Sequence, residues 1–204
     1  LSYARLTYEK KTDWLARIRG LDRFEEYWQE IRHKKDLRSL AAKVSDWSLR
    51  CDLDKLKKRK ALPPHSDNIH HLVIIPVIKE SPEVIEGNLR ALAQDPSFSK
   101  RMVVVIALEG RAEPAVKEEV KILEGRHRQD FLELLVVEHP DGLAGEARVK
   151  GANTSYAAKV AAGFFDAKKI PYENVIVSCF DADTVVRPDY FACLTYCFMS
   201  CPDR

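Results

Sequence analysis

The sequence predicts an α/β protein, a three-layer sandwich of helices around a parallel sheet, preceded by a purely helical arm. Two runs, residues 72–78 and 102–108, are apolar at nearly every position, which fits strands buried on both faces rather than on one. Amphipathic segments separate the strand-like runs, and strand-helix alternation is the pattern of parallel sheets with right-handed crossovers. A third observation is the break at Pro63-Pro64, followed by His65, Ser66, Asp67 and Asn68. Prolines and short polar residues interrupt the helical period there, so the reading divides the chain into an arm over 1–62 and an α/β domain over 69–204.

In the arm, Asp22 and Glu25 stand at capping-box spacing, and Phe24, Tyr27, Trp28 and Ile31 follow at i, i+3, i+4 and i+7. Leu37, Leu40, Ala41, Val44 and Trp47 form a second stripe from a cap at Asp36. Trp14, Trp28 and Trp47 are expected to anchor the packing of these helices.

After the linker, residues 71–78 form the first strand. Ser81 as N-cap, Pro82 at the first helical position and the stripe Ile85, Leu89, Leu92 and Ala93 make the helix that follows. The second strand spans 102–108, with a helix beginning near Pro114, and the third spans 131–137. A loop through Asp141, Gly142 and Gly145 leads to an Ala-rich helix ending near Phe165; residues 174–180 are the fourth strand, and Pro188 opens a last helix. Cys193, Cys197 and Cys201 recur every fourth residue on that helix and are expected as core thiols, since zinc favours a fourth ligand and tighter cysteine pairs.

Composition narrows the function classes. Of 204 residues, 46% are hydrophobic and 31% charged, enough apolar material for a core and unlike a disordered chain. No apolar run approaches the roughly 18 residues of a membrane span. Net charge is +2, but residues 1–60 carry 17 Lys/Arg against 10 Asp/Glu while the remainder carries 16 against 21, a basic arm ahead of a mildly acidic globule. The run Lys55, Lys57, Lys58, Arg59 and Lys60 suits an anionic lipid surface, or is simply a solvated helix end. Nucleic acid is not an expected partner, because the sequence lacks interleaved aromatics, zinc-finger spacing and RNP-like motifs. Five cysteines without a signal peptide before them fit reduced thiols in the cytosol. A start at Leu1 and an end at Arg204 soon after the sharpest motif read as part of a longer protein.

That motif is Asp181-Ala182-Asp183-Thr184, directly behind the apolar strand. Two carboxylates two residues apart in a strand-end turn are able to face one hard divalent cation, Mg²⁺ or Mn²⁺, of the kind that accompanies bound diphosphates. The simpler reading is a turn built from residues that favour turns. Ligands of parallel sheets collect at the carboxyl ends of the strands, which is where this motif falls.

Taken together, four segments resemble the inverting family 2 glycosyltransferases with the GT-A fold. "HLVIIPVIKES" is similar to that family's first strand and Pro-x-x-Asn-Glu turn, with Pro76 and Glu80 in place and Lys79 where Asn is usual. "FDADTVVRPDYF" resembles its metal-binding Asp-x-Asp segment. "ARVKGANTSYAAK" resembles its Lys-x-x-x-Leu-Asn helix, with Lys150 on the Lys while spacing puts Ser155, not Asn153, on the Asn. "ALEGR" offers Glu109 where the family more often shows an Asp-rich turn.

The resemblance covers about residues 70–200. It implies a three-layer α/β/α, Rossmann-like nucleotide-diphospho-sugar transferase fold and a metal-assisted transfer from a UDP- or GDP-sugar to an acceptor the sequence does not identify. It puts Pro76, Val77 and Glu80 at the base and ribose, Glu109 at the base, Arg148 and Lys150 near the phosphates, Asp181 at the ribose, and Asp181 with Asp183 at the metal. The family's general base lies downstream of its metal motif, beyond Arg204 here, so no catalytic base is assigned. Several relatives of this appearance are membrane-integrated, so the resemblance and the basic arm together imply a parent protein in a membrane with the catalytic domain on the cytoplasmic face. Two other readings compete. Asp-x-Asp-Thr-Val also resembles the nucleophile motif of haloacid-dehalogenase-like phosphatases, with Asp181 phosphorylated and Asp183 as acid/base, although that motif belongs on the first strand of its domain. The third is a module that binds nucleotide without turnover.

Overall fold

A computed structural model of the chain describes residues 12–33, 40–140 and 150–203. Its elements are α1 (Trp14–Asp22), α2 (Phe24–His33), α3 (Leu40–Arg59), β1 (His70–Val77), α4 (Pro82–Leu92), the single turn α5 (Pro96–Ser99), β2 (Met102–Glu109), α6 (Pro114–His127), β3 (Glu133–His139), α7 (Lys150–Lys168), β4 (Val175–Cys179) and α8 (Tyr190–Ser200). They divide into two compact units, residues 70–188 and residues 1–69 with 189–204. The boundary falls just past the proline linker. The last helix, which the sequence reading assigned to the strand-bearing domain, instead joins the N-terminal helices.

The larger unit is α/β, with four parallel strands in the order β3-β2-β1-β4. Pairing runs His71 to Met102 through Val77 to Leu108, Val103 to Glu133 through Glu109 to His139, and His70 to Val175 through Ile74 to Cys179. Successive side chains of a strand point to opposite faces, and β1 and β2 are buried at almost every position, so both faces of the sheet centre are covered. On one face Leu72, Ile74, Val103, Val105, Ala107 and Val137 pack against Ala157, Ala161 and Phe165 of α7. The spacing of those α7 residues, four apart, puts them on one side of the helix. Each fully buried Leu, Ile or Phe of such a core contributes about 1.5–3 kcal/mol.

Local chemistry sets the ends of the elements. Pro82 and Pro114 each open a helix, where a missing N–H costs nothing. Both α3 and α7 stop through a left-handed residue, Lys60 (φ 53°) and Lys169 (φ 57°), each followed by an amide that reaches back to close the last turn: Ala61 N to Leu56 O and Ile170 N to Phe165 O, both at 3.0 Å. The third strand starts at Glu133, two residues later than its sequence suggests, because Phe131 follows a 3₁₀ turn over Arg128–Asp130 and enters the core before pairing begins.

The smaller unit is helical. Leu49, Leu53 and Leu56 are the buried stripe of α3; the cap at Asp36 and Leu37 lie outside the described residues. Trp14 anchors the unit as expected, packing 5.3 Å from the Tyr196 ring of α8. The guanidinium of Arg17, itself buried, lies 5.4 and 5.3 Å from these two rings and donates to Ser45 O and Oγ. Trp28 is half-buried, bonded through Nε1 to Asp54 and flanked by Arg32 and Lys57. Trp47 does not anchor anything: it is 67% exposed. Cys197 and Cys201 are exposed and Cys193 half-buried, so the expectation of core thiols is also corrected. Nor does Asp22 cap α2. It ends α1, and its carboxylate serves Ser66 instead. Among the described residues no helix is long and apolar enough to cross a membrane.

Candidate functional site

The order β3-β2-β1-β4 makes the gap between β1 and β4 the place where the topology reverses. The chain leaves β1 toward β2 and β3, then returns to place β4 on the other side. Open parallel sheets hold ligands at the carboxyl ends of such a pair. Pro76 helps open the gap. Ile74 turns its carbonyl to β4, accepting from Phe180 N at 3.0 Å, and pairing with β4 ends there. Two residues on, Pro76 faces the same way, so its missing N–H falls where β4 has already diverged.

A cleft of about 430 Å³ occupies this position, lined by Pro76, Ile78, Glu80, Val84, Glu109, Asp181, Ala182 and Asp183. Its residues come from the ends of β1, β2 and β4 and the first turn of α4. Glu80 shapes the β1 loop, its Oε2 accepting from the amides of Ile78 at 2.6 Å and Lys79 at 3.0 Å. Glu109 ends β2 and pairs with Arg111 Nε. The β4 turn is closed by Thr184 N donating to Asp181 O at 2.9 Å. Ala182 is buried at 4% exposure while Asp181 and Asp183 on either side are exposed, so the turn roots itself by the small residue and presents both acids.

The structure thus brings Pro76, Glu80, Glu109, Asp181 and Asp183 to one cleft. Val77 is not brought to it. It is fully buried in β1 and does not line the cleft. Arg148 lies outside the described residues, as does the side chain of Lys150, whose backbone opens α7. Of the two candidates on that helix, Ser155 is exposed, while Asn153 is buried and donates through Nδ2 to Ala107 O of β2 at 2.7 Å.

Four carboxylates on one cleft, of which Glu109 pairs with Arg111, favour a cation there. Among the described residues no group of three or more His, Cys, Asp or Glu side chains is arranged to hold a metal ion by itself. Asp181 and Asp183 supply hard oxygen donors of the type Mg²⁺ and Mn²⁺ take, and Mg²⁺ is commonly held by one or two carboxylates with ligand phosphates and water completing the shell. The donor chemistry therefore fits a cation that arrives with a phosphorylated ligand.

The sequence reading missed Asn88. It sits on the buried stripe of α4 and donates through Nδ2 to Asp181 O at 3.2 Å and Ala182 O at 3.4 Å. The available signal was an amide interrupting the stripe of Ile85, Leu89 and Leu92, since a buried polar group needs a partner. Comparison of the chain with protein-family models, with curated proteins and with solved structures returns no match.

Proposed function

We propose that this chain carries the donor-binding half of a metal-assisted, inverting glycosyltransferase resembling family 2, its sheet forming the middle of a three-layer GT-A-like fold. The observation that carries the reading is the convergence of Asp181 and Asp183 with Pro76, Glu80 and Glu109 on one cleft at the carboxyl ends of β1, β2 and β4. Such a site suits a nucleotide-diphospho-sugar with UDP or GDP as its nucleotide. Pro76, Ile78 and Val84 offer an apolar wall for the base. Glu80 and Glu109 offer acceptors for base or ribose donors, and the Asp pair faces the diphosphate. A divalent cation, when bound, supplies charge neutralisation as the sugar-phosphate bond breaks and the diphosphate leaves. By resemblance Arg148 and Lys150 add cationic charge near the phosphates. No residue of this chain is assigned as general base or acceptor site, and attachment to the cytoplasmic face of a membrane extends the same reading.

Strand order favours this proposal over a phosphatase with Asp181 as nucleophile. That motif belongs on the first strand of its domain, whereas Asp181 follows β4 here. The deciding experiment is calorimetric titration of UDP, GDP and their sugar conjugates with Mn²⁺ and then with excess EDTA. Binding that disappears with EDTA supports the donor site and names its base. Phosphate-like trapping of beryllofluoride on Asp181 without nucleotide binding would overturn it.

A further inference from the structure

We infer that Asn88 is a positioning residue that sets the direction of the Asp181 and Asp183 carboxylates, an inference that rests on the proposed role of those two acids. Asn88 lies at 1% exposure on α4, among Ile85, Leu89, Ala91 and Leu92. Its NH₂ group offers two hydrogens, and two consecutive carbonyls of the β4 turn, Asp181 O and Ala182 O, lie within reach of them. The reversed amide would aim an oxygen at two carbonyl oxygens, so the network fixes its orientation.

Packing alone does not explain an asparagine here. Its Oδ1 is buried with no hydrogen-bond partner among the described residues, which costs desolvation that an apolar side chain of similar size would avoid. What the amide does supply is a tether under the turn. Asp181 O already accepts from Thr184 N within the turn, and Asn88 adds a second donor from a separate helix. With Ala182 buried below, the backbone between the two acids is held at three points, and the freedom left to the carboxylates is that of their own side chains. The same helix contributes Val84 to the cleft and begins just after Glu80, so α4 fixes the β1 and β4 sides of the cleft to each other. Groups that hold ligating side chains from behind typically govern metal affinity by about 10–100-fold.

The test uses the whole chain with Asn88→Leu, which keeps the volume and removes the donor, and Asn88→Asp, which keeps the shape and replaces the donor by a carboxylate. Two readouts are taken. The first is hydrogen exchange at the Thr184 amide, which needs no ligand. The second is affinity for Mn²⁺ with UDP or GDP at pH 8, expressed as a ratio to the parent. The expected result is faster Thr184 exchange in both variants with the amides of β1 and β2 unchanged, and about a tenfold loss of affinity. A merely space-filling role would leave Asn88→Leu, which fills the same volume, with the parent's Thr184 exchange. Unchanged Thr184 exchange together with a ratio near one would overturn the inference while leaving the donor-site proposal standing. Faster Thr184 exchange in the variants, with a parent chain that binds no metal-nucleotide, would do the reverse, supporting the tether and sinking the donor site.

Discussion

Asp22 accepts both the backbone amide and the hydroxyl of Ser66, each at 2.7 Å. One carboxylate therefore ties the end of α1 to the 3₁₀ turn Ser66–Asn68 that leads into β1. Ser66 is buried, so Asp22→Ala strands two donors away from water. The expected loss is about 1–3 kcal/mol, with the larger value favoured by the charged acceptor. Thermal unfolding followed by circular dichroism checks this, and a midpoint within a degree of the parent would contradict it.

Asp181→Ala and Asp183→Ala should each abolish Mn²⁺-dependent nucleotide binding without lowering the melting temperature. Both side chains are exposed, and exposed acids contribute little to the fold. Retained nucleotide affinity in both variants would remove the metal assignment.

Gly20 of α1 lies against the Tyr27 ring of α2. A Cβ built there would run into that ring, which is buried. Gly20→Ala should destabilise the helical unit by about 1–3 kcal/mol through overpacking, despite the better helix propensity of alanine. Urea denaturation gives the number. A neutral or stabilising result would mean the helices separate freely.

His71 supplies a pH dependence. Burial, reinforced by Arg101 and His70, pushes its pKa down to about 3, so the folded protein holds it neutral while the unfolded chain titrates near 6.5. The unfolded state binds the extra proton, and stability is fully present above pH 6.5 and declines as pH falls toward 3. The slope reaches at most about 1.4 kcal/mol per pH unit. The carboxylate of Glu86, held down to about 2 by Arg126, His127 and Arg90, contributes its own acid loss only below the ordinary carboxylate range. The window from pH 5 to 7 thus separates the histidine from Glu86. His71→Phe keeps a ring against Phe98 and should flatten the pH dependence there; an unchanged slope would show that His71 is not the group responsible.

Much of the α/β unit is legible in the sequence because its signals are local. The continuous apolar runs of β1 and β2 announce burial on both faces, and Pro82 and Pro114 mark helix starts by chemistry that needs no tertiary context. Pro76, Glu80, Glu109, Asp181 and Asp183 were legible too, since each lies at or near a strand end, whereas Val84 reaches the cleft from α4. What escaped depends on contacts distant in sequence. The helix Tyr190–Ser200 looks like the continuation of the β4 segment, yet its partners are Trp14, Arg17 and Asp52. Asp22 has the spacing of a cap, but a better pair of donors waits at Ser66. Trp47 sits on the apolar period of α3, while the face that is buried belongs to Leu49, Leu53 and Leu56. Asn88 was invisible for the same reason: nothing near it in the chain reveals the turn it holds.

The position of β1 has a consequence for how the protein is made. His71 finds Met102 across a short crossover, whereas His70 finds Val175 only after most of the chain has been synthesised. Closing the longer loop costs more entropy and rewards it later, so β1, β2 and β3 are expected to assemble first and β4 to dock last. Until then one side of β1 is a bare strand edge, open to pairing with another chain, and the cleft has only half its wall. The carboxylates of Asp181 and Asp183 arrive with the strand that ends this exposure, so a nascent chain protects its edge and acquires its acidic turn in the same event.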